Sequence, residues 1–384
     1  MSWLNAAALA ALAAGHAELM VALINRLHAL PLSHGLLRRS RQLHELVILA
    51  FPLVLVWFVG LTGPRLLTGG RWSDLPAPWA GYLGLCALGA VGLVVSAVAQ
   101  ARQRPPAAQV SNHSHTIDID KRLGYRPIGA GRHRLMIGMP GNEAFRVEVS
   151  DKTYRLPKLP AAWDGLSIVH LTDLHYTGRP DRRFFEEVCE LSAELAPDMF
   201  VFTGDLLDSQ ELMDWFPSTL GRLNAPLGCH FVLGNHDWYL DADAIRRGLI
   251  DLGWHDVAGR WLSIEHRGHP LVITGTEQPW MGRHPDLAGA PAEAFRLLLS
   301  HTADNLPWAR GQSIDLMLSG HNHGGQVMLP LVGAVYSPSV HGCRYASGAF
   351  WQPPTLLYVS RGLSGRLPFR FRCPPELTRL VLRP

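Results

Sequence analysis

Apolar positions come first in long unbroken runs and later in short, spaced ones. Trp79–Ala99 (WAGYLGLCALGAVGLVVSAVA) carries no charge and matches the span of about 20 residues that crosses a bilayer, with Trp79 and Tyr82 as interfacial anchors at one end. Leu46–Leu61 is shorter, and extending it back through Leu43 brings it near the same length. Two transmembrane helices are therefore expected, at about 43–62 and 79–101, in preference to two buried helices of a soluble core. Leu4–Ile24 is rich in Ala and Leu but carries Asn5, His16 and Glu18. It is expected as an amphipathic helix in the membrane interface, with a third span as the alternative. No basic segment precedes it, which argues against a cleaved signal peptide, and Arg38-Arg39-Ser40-Arg41 reads as a basic membrane flank.

Beyond these runs, residues 102–125 are polar and proline-containing and are expected to be a linker. From 126 to 384 short apolar strands alternate with helical patterns. The strands are Leu166–Leu171, Met199–Thr203, His230–Leu233, Val272–Gly275, Leu297–Ser300, Leu316–Ser319 and Leu356–Ser360. Helical patterns fall at Arg182–Leu195, Glu211–Leu223 and Ala242–Leu252. This alternation predicts an α/β fold, a layered β-sandwich flanked by helices, behind an N-terminal helical anchor spanning 1–101.

Composition changes this picture little. The net charge of +3 and the lack of a basic run interleaved with aromatics argue against a nucleic-acid partner. The positive charge is nearly all arginine, which suits two-pronged contact with phosphate. Cys86, Cys189, Cys229, Cys343 and Cys373 are scattered without a CxxC pair, so neither a thiolate zinc site nor a disulfide framework is indicated.

The chemistry lies in five clusters that follow one another in order: Asp173-Leu174-His175, Gly204-Asp205-Leu206-Leu207-Asp208, Gly234-Asn235-His236-Asp237, the single His301, and Gly320-His321-Asn322-His323. Each comes directly after a short apolar strand, and residues just past the carboxyl ends of neighbouring strands converge on one crevice. Imidazole, carboxylate and amide oxygen suit divalent ions such as Mn, Fe and Zn. Two such ions need a shared anion between them, a role a strand-end Asp can fill. The glycines before Asp205, Asn235 and His321 are expected to permit tight strand-to-loop turns. Singly each cluster is weak: a lone strand-end Asp is more often a helix cap, and Asp208 reads as one. The ordered set decides the matter.

These blocks, DxH, GDxxD, GNHD, a lone His and GHxH, resemble the calcineurin-like metallophosphoesterase superfamily from about Asp164 to the C-terminus. SGHNHGGQV (Ser319–Val327) and YVSRGLSGRLPFRFRCPPELTRLVL resemble its membrane-associated YkuE- and YaeI-like branch. The resemblance implies one metal held by Asp173, His175, Asp205 and His323, and a second by Asp205, Asn235, His301 and His321. It implies phosphoester hydrolysis by a metal-bridging hydroxide, with His236 facing the phosphate as a catalytic group and Asp237 orienting its imidazole. The alternative is a non-catalytic metal-binding or scaffold protein on the same fold.

Two readings concern the setting. Arg26, Arg38, Arg39 and Arg41 precede the first expected span, and Arg102, Arg104, Lys121 and Arg122 follow the second, against only Arg65 and Arg71 between them. This bias predicts a multi-pass protein of the inner, cytoplasmic membrane with its catalytic domain on the cytoplasmic face. Arg361–Arg372 interleaves arginines with Leu363, Leu367, Phe369 and Phe371. Arg361, with Asn235, is a candidate phosphate contact, and the segment is a candidate surface for a lipid-linked phosphoester; the alternation equally fits an ordinary half-buried strand.

Overall fold

The computed structural model describes residues 2–129 and 134–384. It forms two compact units, Met1–Gln103 with Leu329–Arg344, and Arg104–Met328 with Tyr345–Pro384.

The first unit is built on three helices: α1 (Trp3–His28), α2 (His34–Leu55, running on as a π-helical segment Val56–Thr62) and α3 (Ala77–Arg102). All three are long and apolar enough to cross a membrane. The length and composition of α1 thus meet the third-span alternative for Leu4–Ile24. Two of its polar residues are paired within the bundle: the Asn5 amide donates to Leu66 O (2.7 Å), and His16 stacks on Phe51 (3.9 Å between ring centroids) and hydrogen-bonds the Tyr82 hydroxyl (2.6 Å). Polar groups inside an apolar bundle pair with one another in this way.

The second unit is a sandwich of two sheets. One follows the order β1 (Gln109–Asp118), β2 (Arg146–Arg155), β13 (Glu376–Arg383), β3 (Ser167–Leu171), β4 (Met199–Phe202), β5 (Cys229–Phe231), β6 (Trp254–Asp256). The other follows β11 (Gly348–Gln352), β12 (Thr355–Val359), β10 (Leu316–Ser319), β9 (Phe295–Ser300), β8 (His269–Thr276), β7 (Trp261–His266). Strands β3, β4, β5 and β6 run parallel, as do β8, β9, β10 and β12, so their carboxyl ends point one way within each sheet. Both faces of the central strands are covered. Ile168, Met199 and Val201 meet Ile273, Leu297, Leu299 and Leu318 between the sheets. Val169, Phe200 and Phe202 pack outward with Phe184, Phe185 and Val188 of helix α4 (Arg182–Glu194). Strands buried on both faces read as continuous apolar runs, as these do.

Residues 102–125 are not a free linker: β1 lies within them, antiparallel to β2 in register His115↔Val149. Most of its residues are exposed on both faces, so the pattern that normally betrays a strand is missing. The helix expected at Glu211–Leu223 is two 3₁₀ segments, Gln210–Ser218 and Leu220–Arg222. Pro217 lacks the N–H that an α-helix would need there.

Candidate metal centre

Each sequence cluster occupies the loop leaving a strand: Asp173 and His175 after β3, Asp205 and Asp208 after β4, Asn235 after β5, His301 after β9, His321 and His323 after β10. The first two loops run side by side, with Asp173 N–H donating to Gly204 O (3.0 Å) and His175 N–H to Asp205 O (3.0 Å). Five residues of the cluster, Asp173, His175, Asp205, His321 and His323, have φ between 44° and 68°. Left-handed backbone at a non-glycine residue costs about 1–2 kcal/mol, and its concentration here marks a functional constellation. The neighbouring glycines serve a different need. A Cβ on Gly234 would lie 2.2 Å from Asp205 Oδ1, and one on Gly320 would lie 2.2 Å from Asp173 Oδ2. Their job is close approach to a carboxylate; the unusual φ falls on the ligand candidates themselves.

The donor atoms converge in overlapping groups. Asp173, His175, Asp205 and His323 form one, and Asp205, His301 and His321 another, each with atoms within 4.8 Å of one another. Asn235 Oδ1 joins the second, 3.2 Å from His301 Nε2. The structure thus brings together all seven expected ligands, with Asp205 common to both groups. The remaining oxygens are committed to backbone: His236 N–H donates to Asp205 Oδ1 (2.8 Å) and His321 N–H to Asp173 (3.0 Å).

Imidazole tautomers test whether a cation fits. Carbonyls and carboxylates only accept, so three imidazoles carry their proton on Nδ1: His175 toward Asp208 Oδ2 (2.8 Å), His301 toward Thr203 O (2.7 Å) and His323 toward Ser364 O (3.1 Å). Their Nε2 atoms then face carboxylate oxygens: His301 to Asp205 at 3.2 Å, His323 to Asp173 at 3.3 Å, and His175 to Asp205 at 3.5 Å. His175 and His323 bring Nε2 to within 3.1 Å of each other. Lone pairs so opposed require a cation or a proton between them; burial lowers the pKa of His301, yet Asp205 and Asp173 hold it up at about 9. The donor set fits divalent metal, with His175, His301 and His323 each oriented from behind as metal ligands usually are.

His236 donates Nδ1–H to Asp208 Oδ1 (2.6 Å). Asp208 thereby holds two imidazoles, one on each oxygen. Burial opposes charge on both partners, but their attraction prevails: His236 is raised to about 9 and Asp208 held well below the carboxylate range. Asp237 does not orient His236. It lies in the single helical turn α5 (Asn235–Trp238), where adjacent side chains diverge. Its buried carboxylate instead accepts the N–H groups of Asp205 (3.0 Å), Leu206 (2.9 Å), Leu207 (3.1 Å) and Gly234 (2.9 Å). Burial, then the charge of Asp205, pushes it up to about 6. Asp208 was missed because one Asp three residues past another reads as a helix cap; the signal that could have found it is its place in the GDxxD block.

Arg361 is also placed differently from expectation. Its guanidinium donates to Glu148 (2.7 Å) and faces Glu376 (3.4 Å), so it braces the sandwich. Arg361–Arg372 is an irregular loop, neither strand nor helix. In that loop the half-exposed Arg366 reaches Asp208, with Nε at 3.9 Å from Oδ1, while Arg370 is buried.

A calcineurin-like phosphoesterase family model matches residues 166–325. The uncharacterised metallophosphoesterase YkuE of Bacillus subtilis is 31% identical over 252 residues, covering 63% of this chain and 87% of its own. The phosphodiesterase YaeI of Escherichia coli is 30% identical over 220 residues, covering 56% and 81%. The UDP-2,3-diacylglucosamine pyrophosphatase LpxG of Chlamydia muridarum is 28% identical over 282 residues, covering 58% and 85%. The chain belongs to the calcineurin-like phosphoesterase family and is a hydrolase of phosphoester bonds. Within that family it falls in the membrane-associated branch typified by YkuE and YaeI.

Proposed function

We propose that the chain is a dinuclear metal-dependent phosphoesterase, acting as a phosphodiesterase on a lipid-linked phosphoester at the cytoplasmic surface of a membrane. The observation that carries it is Asp205, which stands in both donor groups. One site comprises Asp173, His175, Asp205 and His323; the other comprises Asp205, Asn235, His301 and His321. Two divalent ions held there, Mn, Fe or Zn by donor chemistry, would supply charge against the phosphoryl oxygens and acidify a water for attack near neutral pH. Asp205 would offset the repulsion between the two charges. His236, with Nδ1 fixed by Asp208 and Nε2 unengaged in that bond, presents a proton for the leaving oxygen. A scaffold that only bound metal would have no use for this pair. Arg366, at the same carboxylate, is the arginine placed to meet a phosphate.

The lipid-linked substrate rests on the setting. Only residues 103–108 separate α3 from β1, and six residues reach at most about 20 Å, so the catalytic unit stays near the bilayer that the helices cross. The diacylated substrate in the name of the chlamydial relative has this chemistry. The test is turnover of a generic aryl phosphodiester before and after metal removal. Loss on chelation and recovery with a divalent ion are expected; no turnover at full metal content would leave the scaffold reading standing.

A further inference from the structure

The insertion Leu329–Arg344, between β10 and β11, belongs to the unit of the three helices. Two amides hold it there, each pairing with main-chain groups as a neighbouring strand would. Asn25, in the last turn of α1, donates to Val335 O (3.2 Å) and accepts from Ser337 N–H (3.0 Å). Gln100, near the end of α3, donates to Ala334 O (3.0 Å) and accepts from Ala334 N–H (2.8 Å). The insertion is therefore fixed at the end of the bundle where α1 and α3 both terminate, next to Arg26 and Arg102.

Its tip has the opposite character to these anchors. Leu329-Pro330-Leu331-Val332 closes a turn through Val332 N–H to Leu329 O (3.3 Å). Leu329 is 42% exposed and Leu331 98% exposed, and Leu331 sits at φ 67°. A turn facing water ordinarily puts Gly or Asn at such a position. Here one side chain carries both the left-handed backbone and full exposure of an isobutyl group. Val94, Val95 and Val98 are exposed on the last turns of α3, a surface that faces lipid where the helix spans, and the insertion is bound at the end of that same helix through Gln100.

We propose that Leu329–Val332 is a membrane-docking tip, its partner the lipid bilayer, into whose interface Leu331 inserts at the side where α1 and α3 end. This rests on the reading of the helices as spans. The tip also bears on substrate capture. It begins six residues after His323, and the stem before it is tied to the loop that carries Arg366: Gln326 donates to Phe369 O (2.9 Å) and Met328 N–H to Phe371 O (2.9 Å). One stretch of chain thus joins a lipid-inserted leucine, the loop bearing the candidate phosphate arginine and a metal-ligand candidate. The occupant favoured is lipid and not a second copy of the chain, because the insertion is bound where α1 and α3 end, the level at which spanning helices leave the bilayer, and those last turns carry Arg26 and Arg102.

The test places a photoreactive benzoylphenylalanine at Leu331 in the full-length protein in its membrane, with the exposed Val94 of α3 and the exposed Lys158 as controls. Lipid adducts at Leu331 and Val94 but not at Lys158 are expected. A chain-to-chain cross-link at Leu331, or no lipid adduct there while Val94 gives one, overturns the proposal. In parallel, Leu331→Asp is expected to lower kcat/KM about tenfold for a phosphoester in vesicles and to leave a soluble aryl phosphodiester unaffected. Equal effects on both substrates would overturn the link to capture. If neither substrate is turned over by the parent chain, the enzymatic reading fails, and the adduct pattern still decides the docking.

Discussion

Asp208 shows how a single carboxylate can orient two imidazoles of one site at once. Its two oxygens take the Nδ1 protons of His175, a ligand candidate, and His236, which is not one by the reading above. Asp208→Asn presents an amide N–H to one of those N–H groups, so one imidazole must turn. Metal affinity should fall about 10–100-fold, as for lost partners behind ligands, together with kcat. His236→Ala should behave differently: both metals retained, with kcat lower by about two to four orders of magnitude. Elemental analysis beside steady-state kinetics separates the two, and metal loss in His236→Ala would make it a ligand. Asp205→Asn removes the shared carboxylate and should cost more than one metal equivalent; full occupancy in that variant would refute the bridge. At this scale the convergence of the seven ligand candidates was legible because residue type and strand-end position coincide. The partner of His236 was not, because adjacency in sequence pointed to Asp237, whereas on a helical turn neighbours face apart. Asp237 instead gathers four N–H groups and fixes the loops that carry Asp205 and Asn235.

Between strands, legibility followed burial. The seven strands expected from apolar runs are all present within a few residues, since a parallel strand covered on both sides shows no alternation and few polar interruptions. Strands β1, β2, β7 and β11 went unread because they lie at or next to the sheet margins and carry polar residues on open faces. β13 went unread inside the resembling C-terminal segment; it lies between β2 and β3 although it comes last in the chain. Where loops cross, spacing is the constraint. A Cβ on Gly320 would meet Thr172 Oγ1 at 2.1 Å as well as Asp173 Oδ2 at 2.2 Å, pushing the loop after β10 off the loop after β3. Gly320→Ala should therefore destabilise the unit by about 1–3 kcal/mol, the usual cost of overpacking, and lower metal content, read by thermal melting and elemental analysis. Gly311→Ala, at the end of α6 (Leu306–Gly311) with nothing within 4 Å of the new methyl, should change neither. Equal effects of the two substitutions would mean that contact with Asp173 is immaterial.

For the molecule as a whole, the number of spans decides where the termini lie. Two spans with an interfacial α1 place Ser2 and the catalytic unit on one side; three spans place them on opposite sides. The amides of Asn25 and Gln100 bind one insertion, so the carboxyl ends of α1 and α3 lie together, and Asn5 near the start of α1 bonds Leu66 in the connection between α2 and α3. The three helices therefore run up, down and up, which is the arrangement of three spans. The polar residues of α1 favoured an interfacial helix in the sequence; their partners, Phe51, Leu66 and Tyr82, come from helices and a connection that only the folded bundle brings near. Arg26, Arg38, Arg39, Arg41, Arg102 and Arg104 then gather at the end shared by α1 and α3, against Arg65 and Arg71 at the other, and this bias is the basis on which we propose the arginine-rich end as the cytoplasmic one. The expected outcome is that an epitope before α1 is reached by an external protease in intact cells, while a cysteine in place of Asn112 on β1 resists an impermeant thiol reagent until the cells are opened. Protection of both positions would return α1 to the interface with the catalytic unit still inside. Labelling of the Asn112 position in intact cells would reverse the assigned face.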